Sequence, residues 1–261
     1  MSALPRAGRG LAITLLATSS LTVMAATIVA PSLPGIRAAF VDLPQVELLA
    51  RLVLTTPALA VALLAPLAGG LLDRVGRRPV LLASLVLYAL AGASGLVLPT
   101  LPGILVGRAL FGAAIGGIMT SATTLITESF HGETQRKLLG LQAAWTGASG
   151  AVFLMLGGVA AALSWRAPFA MYLVAPLLIP AVLALVPGGR PARPEASATT
   201  DHGVTTGLPR GAIGRLLGLT ALTMVFLYLV PVQVPFLLTS RLQAEGPAIG
   251  GAISLMTIFS I

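Results

Sequence analysis

Charged residues and cysteine are what this sequence of 261 residues lacks most clearly. Only 9% of the residues are charged, against about 25% in an average soluble domain, and there is no cysteine. The absence of cysteine excludes a disulfide framework, a thiol nucleophile and a thiolate metal site. Aromatic residues make up 5%, so the basic residues lack the aromatic platforms typical of nucleic-acid binding. We therefore expect no nucleic-acid partner, no metal ion and no cofactor.

Long apolar runs take the place of charge, since 56% of the residues are hydrophobic. A helix of about 20 apolar residues spans a hydrocarbon core of roughly 30 Å. The pattern predicts an all-α membrane protein with seven full spans, helices 1 to 7, and part of helix 8. In order, these runs cover residues 11–33, 48–72, 79–98, 103–127, 138–163, 167–186, 216–240 and 247–261.

The distribution of basic residues predicts the orientation of the chain in the membrane. If the first residues are cytoplasmic, the cytoplasmic segments contain Arg6, Arg9, Arg74, Arg77, Arg78, Arg136, Lys137, Arg190, Arg193, Arg210 and Arg215. The opposite segments contain only Arg37, Arg51, Arg166 and Arg241. By the positive-inside rule, this imbalance favours a cytoplasmic N-terminus. The arginine, alanine and glycine bias is typical of a GC-rich bacterial gene, so we expect the bacterial inner membrane.

The order of segments predicts three parts. Residues 1–186 are predicted to form a six-helix half, residues 187–215 a cytoplasmic linker rich in Gly, Pro, Ser and Thr, and residues 216–261 the start of a second half. Two six-helix halves are typical of secondary transporters. On this interpretation the chain stops within helix 8 of a twelve-helix protein, which we expect to be a monomer when full length.

A charged turn between helices 2 and 3 contains the most specific pattern in the chain. Asp73 lies near the C-terminal end of helix 2, where the helix dipole disfavours a carboxylate, so this side chain needs a partner outside its own helix. Gly69 allows close approach of another backbone, and Gly76 allows a positive φ in a tight turn. Arginines alone would be ordinary for a cytoplasmic loop, whereas the ordered combination of glycines, Leu71, Asp73 and arginines is not.

This turn resembles the signature of the major facilitator superfamily between helices 2 and 3. The matching residues are Gly69, Leu71, Asp73, Arg74, Gly76, Arg77 and Arg78. Further likenesses occur at residues 31–34, at Arg108 with Gly112, and at residues 164–169. The resemblance implies a secondary transporter that works by alternating access, in which Asp73 meets a helix of the second half and acts as a conformational latch.

Arg51, at the edge of the run 48–72, is assigned to the preceding loop, so Arg108 is the one charge predicted well inside a span, and such residues are functional candidates by default. It shares a helix face with Gly112, Gly116 and Thr120. The simpler alternative is an arginine that extends to the nearby membrane surface. Resemblance to a motif of drug and proton antiporters implies a part in proton coupling, with the proton gradient as energy source. Helix 5, however, keeps only Gly157 and Gly158 of the glycine-rich antiporter pattern.

The predicted substrate path consists of neutral side chains on helices 1, 4, 5 and 7. These candidates are Thr14, Thr18, Thr22, Thr120, Gln142, Thr146, Tyr228 and Gln233. Thr and Gln also join helices through hydrogen bonds, so a purely structural role is the alternative. A neutral lining favours small neutral or lipophilic, drug-like compounds, and export of such compounds is the function we predict. The alternative within the family is an uptake permease for a sugar or another metabolite.

Two other classes of membrane protein share parts of this pattern. The tetrapeptide at residues 147–150, with Ser149, matches an intramembrane serine protease, but the chemistry needs a nearby base, and both His131 and His202 are predicted in loops. Seven spans also suggest a receptor or a retinal protein. Retinal attachment needs a lysine within the membrane, whereas Lys137 is predicted in a loop. We therefore predict that the protein is not an enzyme and has no catalytic residues.

Overall fold

A computed structural model describes residues 6–188 together with residues 215, 218 and 219. Within this part the chain forms helices and no strand, and six of the helical segments are long and apolar enough to cross a membrane. The predicted fold class and the first six spans are confirmed. The predicted linker, helix 7 with Tyr228 and Gln233, and the start of helix 8 lie outside the described residues.

The first three spans are longer or more broken than the apolar runs indicate. Helix 1 covers Arg6–Thr27 and continues as a 3-10 turn, Ala30–Ser32, and a short helix, Leu33–Ala39. Pro31 and Pro34 therefore begin new helical pieces rather than closing the span. Helix 2 covers Val46–Val75, and helix 3 covers Arg77–Gly92 followed by a short piece, Ser94–Val97.

The next two spans are continuous helices, whereas the sixth is broken. Helix 4 covers Leu101–Ser129 and helix 5 covers Gly132–Leu163. Helix 6 has three pieces, Ala167–Ala170, a 3-10 segment Met171–Leu178 and Ile179–Leu185, because Pro176 and Pro180 interrupt regular helical hydrogen bonding.

Two predicted loops are wrong in part, because charged residues occupy the ends of helices. Glu47 and Arg51 belong to helix 2, where they form an ion pair of 2.9 Å across one helical turn. Glu133 and Lys137 do the same at the start of helix 5, at 2.7 Å. Such pairs stabilise exposed helix ends, so the helices extend beyond their apolar runs.

Helix 4 lies at the centre of this bundle, since helices 1, 2 and 3 all pack against it. Small residues make the contacts close. A Cβ on Gly112 would lie 2.5 Å from the Pro57 carbonyl oxygen and 2.6 Å from the Ala60 Cβ, both on helix 2. Gly157 of helix 5 is equally close to the backbone of Ile28 in helix 1. Glycine at these positions lets helix backbones approach, as is common in membrane bundles.

Candidate functional site

Arg77 is the centre of the charge cluster at the turn between helices 2 and 3. Its Nε donates to Glu128 Oε1 at 3.0 Å, and its Nη1 donates to the Leu72 carbonyl oxygen at 3.1 Å. Its Nη2 lies 2.8 Å from Glu128 Oε1 and 3.6 Å from Asp73 Oδ1. The Arg77 side chain is only 14% exposed. One guanidinium therefore connects the ends of helices 2 and 4 at the start of helix 3.

Glu128 is a member of this cluster that sequence reasoning missed. It lies in the last turn of helix 4, where the helix dipole disfavours a carboxylate, as it does for Asp73. The argument that singled out Asp73 could therefore have found Glu128 as well. Its partner is Arg77, which is 51 residues away in the sequence, and that distance is why only the structure identifies the pair.

Asp73 is the accessible member of the cluster. Its side chain is 76% exposed, and its contact with Arg77 is longer than the contact between Arg77 and Glu128. Asp73 is thus available to a further partner. Gly76 has a φ of 101°, which confirms the predicted positive φ, whereas a Cβ at Gly69 would meet nothing within 4 Å among the described residues. The latch role of Asp73 stays a prediction.

At each membrane surface, one arginine joins an end of helix 3 to an end of helix 6. Arg78, at the start of helix 3, donates to the Leu183 carbonyl oxygen near the end of helix 6 at 2.5 Å. Arg166, just before helix 6, donates to carbonyl oxygens at the end of helix 3. These acceptors are Gly95 at 2.7 Å, Leu96 at 3.1 Å and Leu98 at 3.1 Å. The last carbonyls of a helix lack partners within it, and cations there are favourable.

Arg108 lies in a closed aromatic chamber between helices 3, 4 and 6. Its side chain is 1% exposed, so the alternative of an arginine that reaches the membrane surface is wrong. The guanidinium carbon lies 4.3 Å from the Phe111 ring centre, 4.9 Å from that of Phe169 and 5.0 Å from that of Tyr172. Its Nη2 donates to the Gly92 carbonyl oxygen at 2.5 Å, and its Nη1 donates weakly to the Tyr172 hydroxyl at 3.4 Å.

This chamber explains how a charge can be buried here. Gly92 ends the long part of helix 3, so its carbonyl is among those without an intrahelical partner. The aromatic faces supply further negative potential, which is worth about 2 kcal/mol or more when the cation is desolvated. Arg108 is therefore directed towards the end of helix 3. The proposed role in proton coupling has no contact that tests it among the described residues.

Gln142, one of the predicted path residues, joins helix 5 to helix 1. Gln142 Nε2 donates to Ser19 Oγ at 2.7 Å, and Ser19 Oγ donates to the Leu15 carbonyl oxygen at 2.8 Å. Ser19 is buried and was not among the predicted path residues. Among the described residues no donor is bonded to Gln142 Oε1, so this oxygen is available as an acceptor.

The predicted threonines share one feature, which is a hydroxyl bonded to a carbonyl of the same helix. The distances are 2.9 Å for Thr14, 2.9 Å for Thr18, 2.7 Å for Thr22, 2.7 Å for Thr120 and 2.9 Å for Thr146. Thr14 and Thr18 are buried, whereas the other three are half-buried. A hydroxyl that donates internally keeps its acceptor lone pairs, so the path assignment of these residues stays a prediction.

The structure also places Ser149, the residue that suggested an intramembrane protease. Ser149 Oγ donates to the Thr146 carbonyl oxygen of its own helix at 3.0 Å, and His131 is exposed before the start of helix 5. Within residues 6–188, no group of three or more His, Asp or Glu residues could hold a metal ion.

Comparison with known proteins identifies the family of this chain. Residues 15–261 match the sequence profile of the Major Facilitator Superfamily. The chain belongs to this superfamily. Its helix 2 to helix 3 turn, with Arg77 and Asp73 in the geometry described above, lies within the matched residues. The superfamily consists of transporters, not enzymes.

Superfamily members with known roles match parts of the chain. The chain is 33% identical over 157 residues to the class C tetracycline resistance protein of Escherichia coli, covering 60% of this chain and 39% of that protein. It is 30% identical over 181 residues to the puromycin resistance protein pur8 of Streptomyces alboniger, covering 69% of this chain and 35% of that protein. The matches thus span well under half of these relatives' lengths.

The fold has a solved counterpart. A crystal structure of a D-xylose-proton symporter matches with a TM-score of 0.69 at 17% identity, covering 95% of this chain and 65% of that chain. At this identity the match shows the fold and carries no information on the substrate. Together with the six described spans, it places the chain among multi-pass membrane transporter folds.

Proposed function

We propose that this protein is a secondary active transporter that exports small neutral or lipophilic compounds by alternating access. The observation that carries the proposal is the polar contact between helices 1 and 5, which is made by two neutral groups, Ser19 and Gln142. The buried guanidinium of Arg108 is directed towards the end of helix 3 instead. Phosphate or carboxylate substrates are usually bound by basic side chains. A neutral seam fits uncharged substrates better.

The relatives support export as the direction. Two of the matched relatives are drug resistance proteins by name, and the longer of these two matches covers 69% of this chain. The geometry of the turn supports alternating access, since Asp73 is exposed beside an otherwise engaged cluster and is free to bind a second half. We further propose the proton gradient as the energy source, the bacterial inner membrane as the location and a cytoplasmic N-terminus.

Drug susceptibility is the test of this proposal. The full-length protein is expressed in a bacterial strain that lacks its main efflux systems, and growth is measured in increasing tetracycline and, separately, puromycin. Resistance to at least one compound, lost in the Asp73→Asn variant at equal membrane abundance, is the expected result. Unchanged susceptibility to both, at verified abundance, would contradict export of these drug classes.

The uptake alternative is tested in the same cells. The fold shared with a D-xylose-proton symporter allows a sugar permease without favouring one, because the identity is only 17%. If expressing cells accumulate labelled xylose and show no drug resistance, the protein is an uptake permease and the export proposal is wrong.

A further inference from the structure

An apolar groove opens between helices 2 and 3, away from the polar seam of helices 1 and 5. It has a volume of about 290 Å³ and is lined by ten residues of helices 2, 3 and 4. Its walls include Leu64, Leu67 and Leu71 of helix 2 and Leu87 of helix 3, and Ala113 of helix 4 lies in its floor. Leu67 is 68% exposed and Leu71 is 49% exposed.

The groove follows from the way the helices pack. Helices 2 and 3 both pack mainly on helix 4 and make few contacts with each other. Gly112 admits helix 2 and Gly117 admits helix 3, because a Cβ on either would collide with its neighbour. Helices 2 and 3 diverge from the turn that joins them. The apolar groove therefore remains between them, with small residues of helix 4 at its base.

A positive charge follows the groove-lining leucines along helix 2. Leu64, Leu67, Leu71 and Arg74 follow one another at intervals of three and four residues, so they lie on one side of helix 2. Arg74 is exposed and, among the described residues, takes part in no hydrogen bond or ion pair. Its neighbours are engaged, since Arg77 binds Glu128 and Arg78 binds the Leu183 carbonyl oxygen.

We propose that this groove binds one acyl chain of an anionic phospholipid, whose phosphate is bound by Arg74. The apolar walls from Leu64 to Leu71 run for about 10 Å along helix 2, and Arg74 follows one turn later at the membrane surface. An arginine guanidinium matches a phosphate group through paired hydrogen bonds. Asp73 is the neighbouring negative charge, but it lies about 100° away around helix 2.

The open shape of the groove favours a lipid chain over an enclosed drug. Its volume of about 290 Å³ is at the lower limit of the roughly 300–1,000 Å³ of pockets that bury a drug-sized molecule, and it is open along one side. A single chain lying lengthwise fits such a shape. The bound lipid would fill the space between helices 2 and 3 beside the turn that contains Asp73 and Arg77.

Lipid retention by the purified chain tests the proposal. The wild type is exchanged into micelles with equal amounts of phosphatidylglycerol and phosphatidylethanolamine, and the retained lipids are counted by native mass spectrometry. We expect preferential retention of phosphatidylglycerol, reduced about fivefold by Arg74→Gln, which is the effect of one arginine near the membrane surface. Arg136→Gln is the matched control, since Arg136 is exposed at the start of helix 5 on the same membrane side, and it should leave retention unchanged.

A second measurement locates the lipid without any variant. Phosphatidylglycerol with a photoreactive group on its chain should crosslink to helix 2, 3 or 4 residues of the groove. Equal retention of the two lipids, equal effects of the two arginine variants, or crosslinks confined to other surfaces would overturn the proposal. A lower crosslinking yield at the groove when tetracycline or puromycin is added before irradiation would assign the groove to a transported compound.

Discussion

Arg166 provides the most quantitative test of how this bundle is held together. Its Nη1 donates to three carbonyl oxygens at the end of helix 3, and its guanidinium stacks on Trp165 at 4.3 Å. A hydrogen bond to a charged group contributes about 1.5–3 kcal/mol, and a cation at a helix C-terminus about 0.3–1 kcal/mol. The side chain is half-buried, so solvent screening reduces these values, and we expect Arg166→Ala to cost about 2 kcal/mol.

Thermal unfolding of the purified chain in detergent measures this cost. For a chain of this size, 2 kcal/mol corresponds to a midpoint lowered by about 4–8 °C. Arg166→Lys retains the charge but only as a single point donor, so it should lose about half as much. Arg37→Ala is the control, because Arg37 is exposed on the same membrane side and surface substitutions usually stay within about 0.5 kcal/mol. Equal midpoints for Arg166→Ala and Arg37→Ala would refute the end-holding role of Arg166.

Three further experiments test other contacts. Gly76→Ala places a side chain at φ 101° and ψ 161°, a region used almost only by glycine. It should lower the free energy of unfolding by about 1–3 kcal/mol, measured by thermal unfolding. Gly140→Ala on helix 5 is the control and should be neutral or stabilising. Combining Arg77→Gln with Glu128→Gln in a double-mutant cycle should show a coupling of about 0.5–1 kcal/mol, and additive effects would mean that the ion pair contributes nothing. Arg108→Met should lower stability by about 1–3 kcal/mol, because the Gly92 carbonyl oxygen loses its partner, and an unchanged stability would show that this contact is not needed.

The sequence was sufficient to predict what depends on local patterns. Apolar runs of spanning length predict the six described helices, and the ordered glycines and charges of residues 69–78 identify the superfamily turn. The positive φ of Gly76 also follows from local reasoning. The helix limits were less accurate, because ion pairs such as that of Glu47 with Arg51 extend helices beyond their apolar runs.

The partners of the charged side chains could not be read from the sequence. Arg108 binds Gly92, Arg78 binds Leu183 and Arg166 binds Gly95, and each pair joins different helices. No periodicity specifies which helix end an arginine reaches, since this depends on how helices 3, 4 and 6 pack. The same reason explains why Ser19 was missed, because a serine within helix 1 looks like a packing residue until Gln142 is placed beside it.

Transport in inverted membrane vesicles tests the central claim most directly. Vesicles from cells that express the full-length protein are energised with a respiratory substrate, and uptake of labelled tetracycline or puromycin is followed with and without a protonophore. Alternating-access export coupled to protons predicts more uptake than in vesicles that lack the protein. The protonophore should abolish this additional uptake, and Asp73→Asn should strongly reduce it. Uptake that equals the background for both compounds, or that is indifferent to the protonophore, would contradict the account.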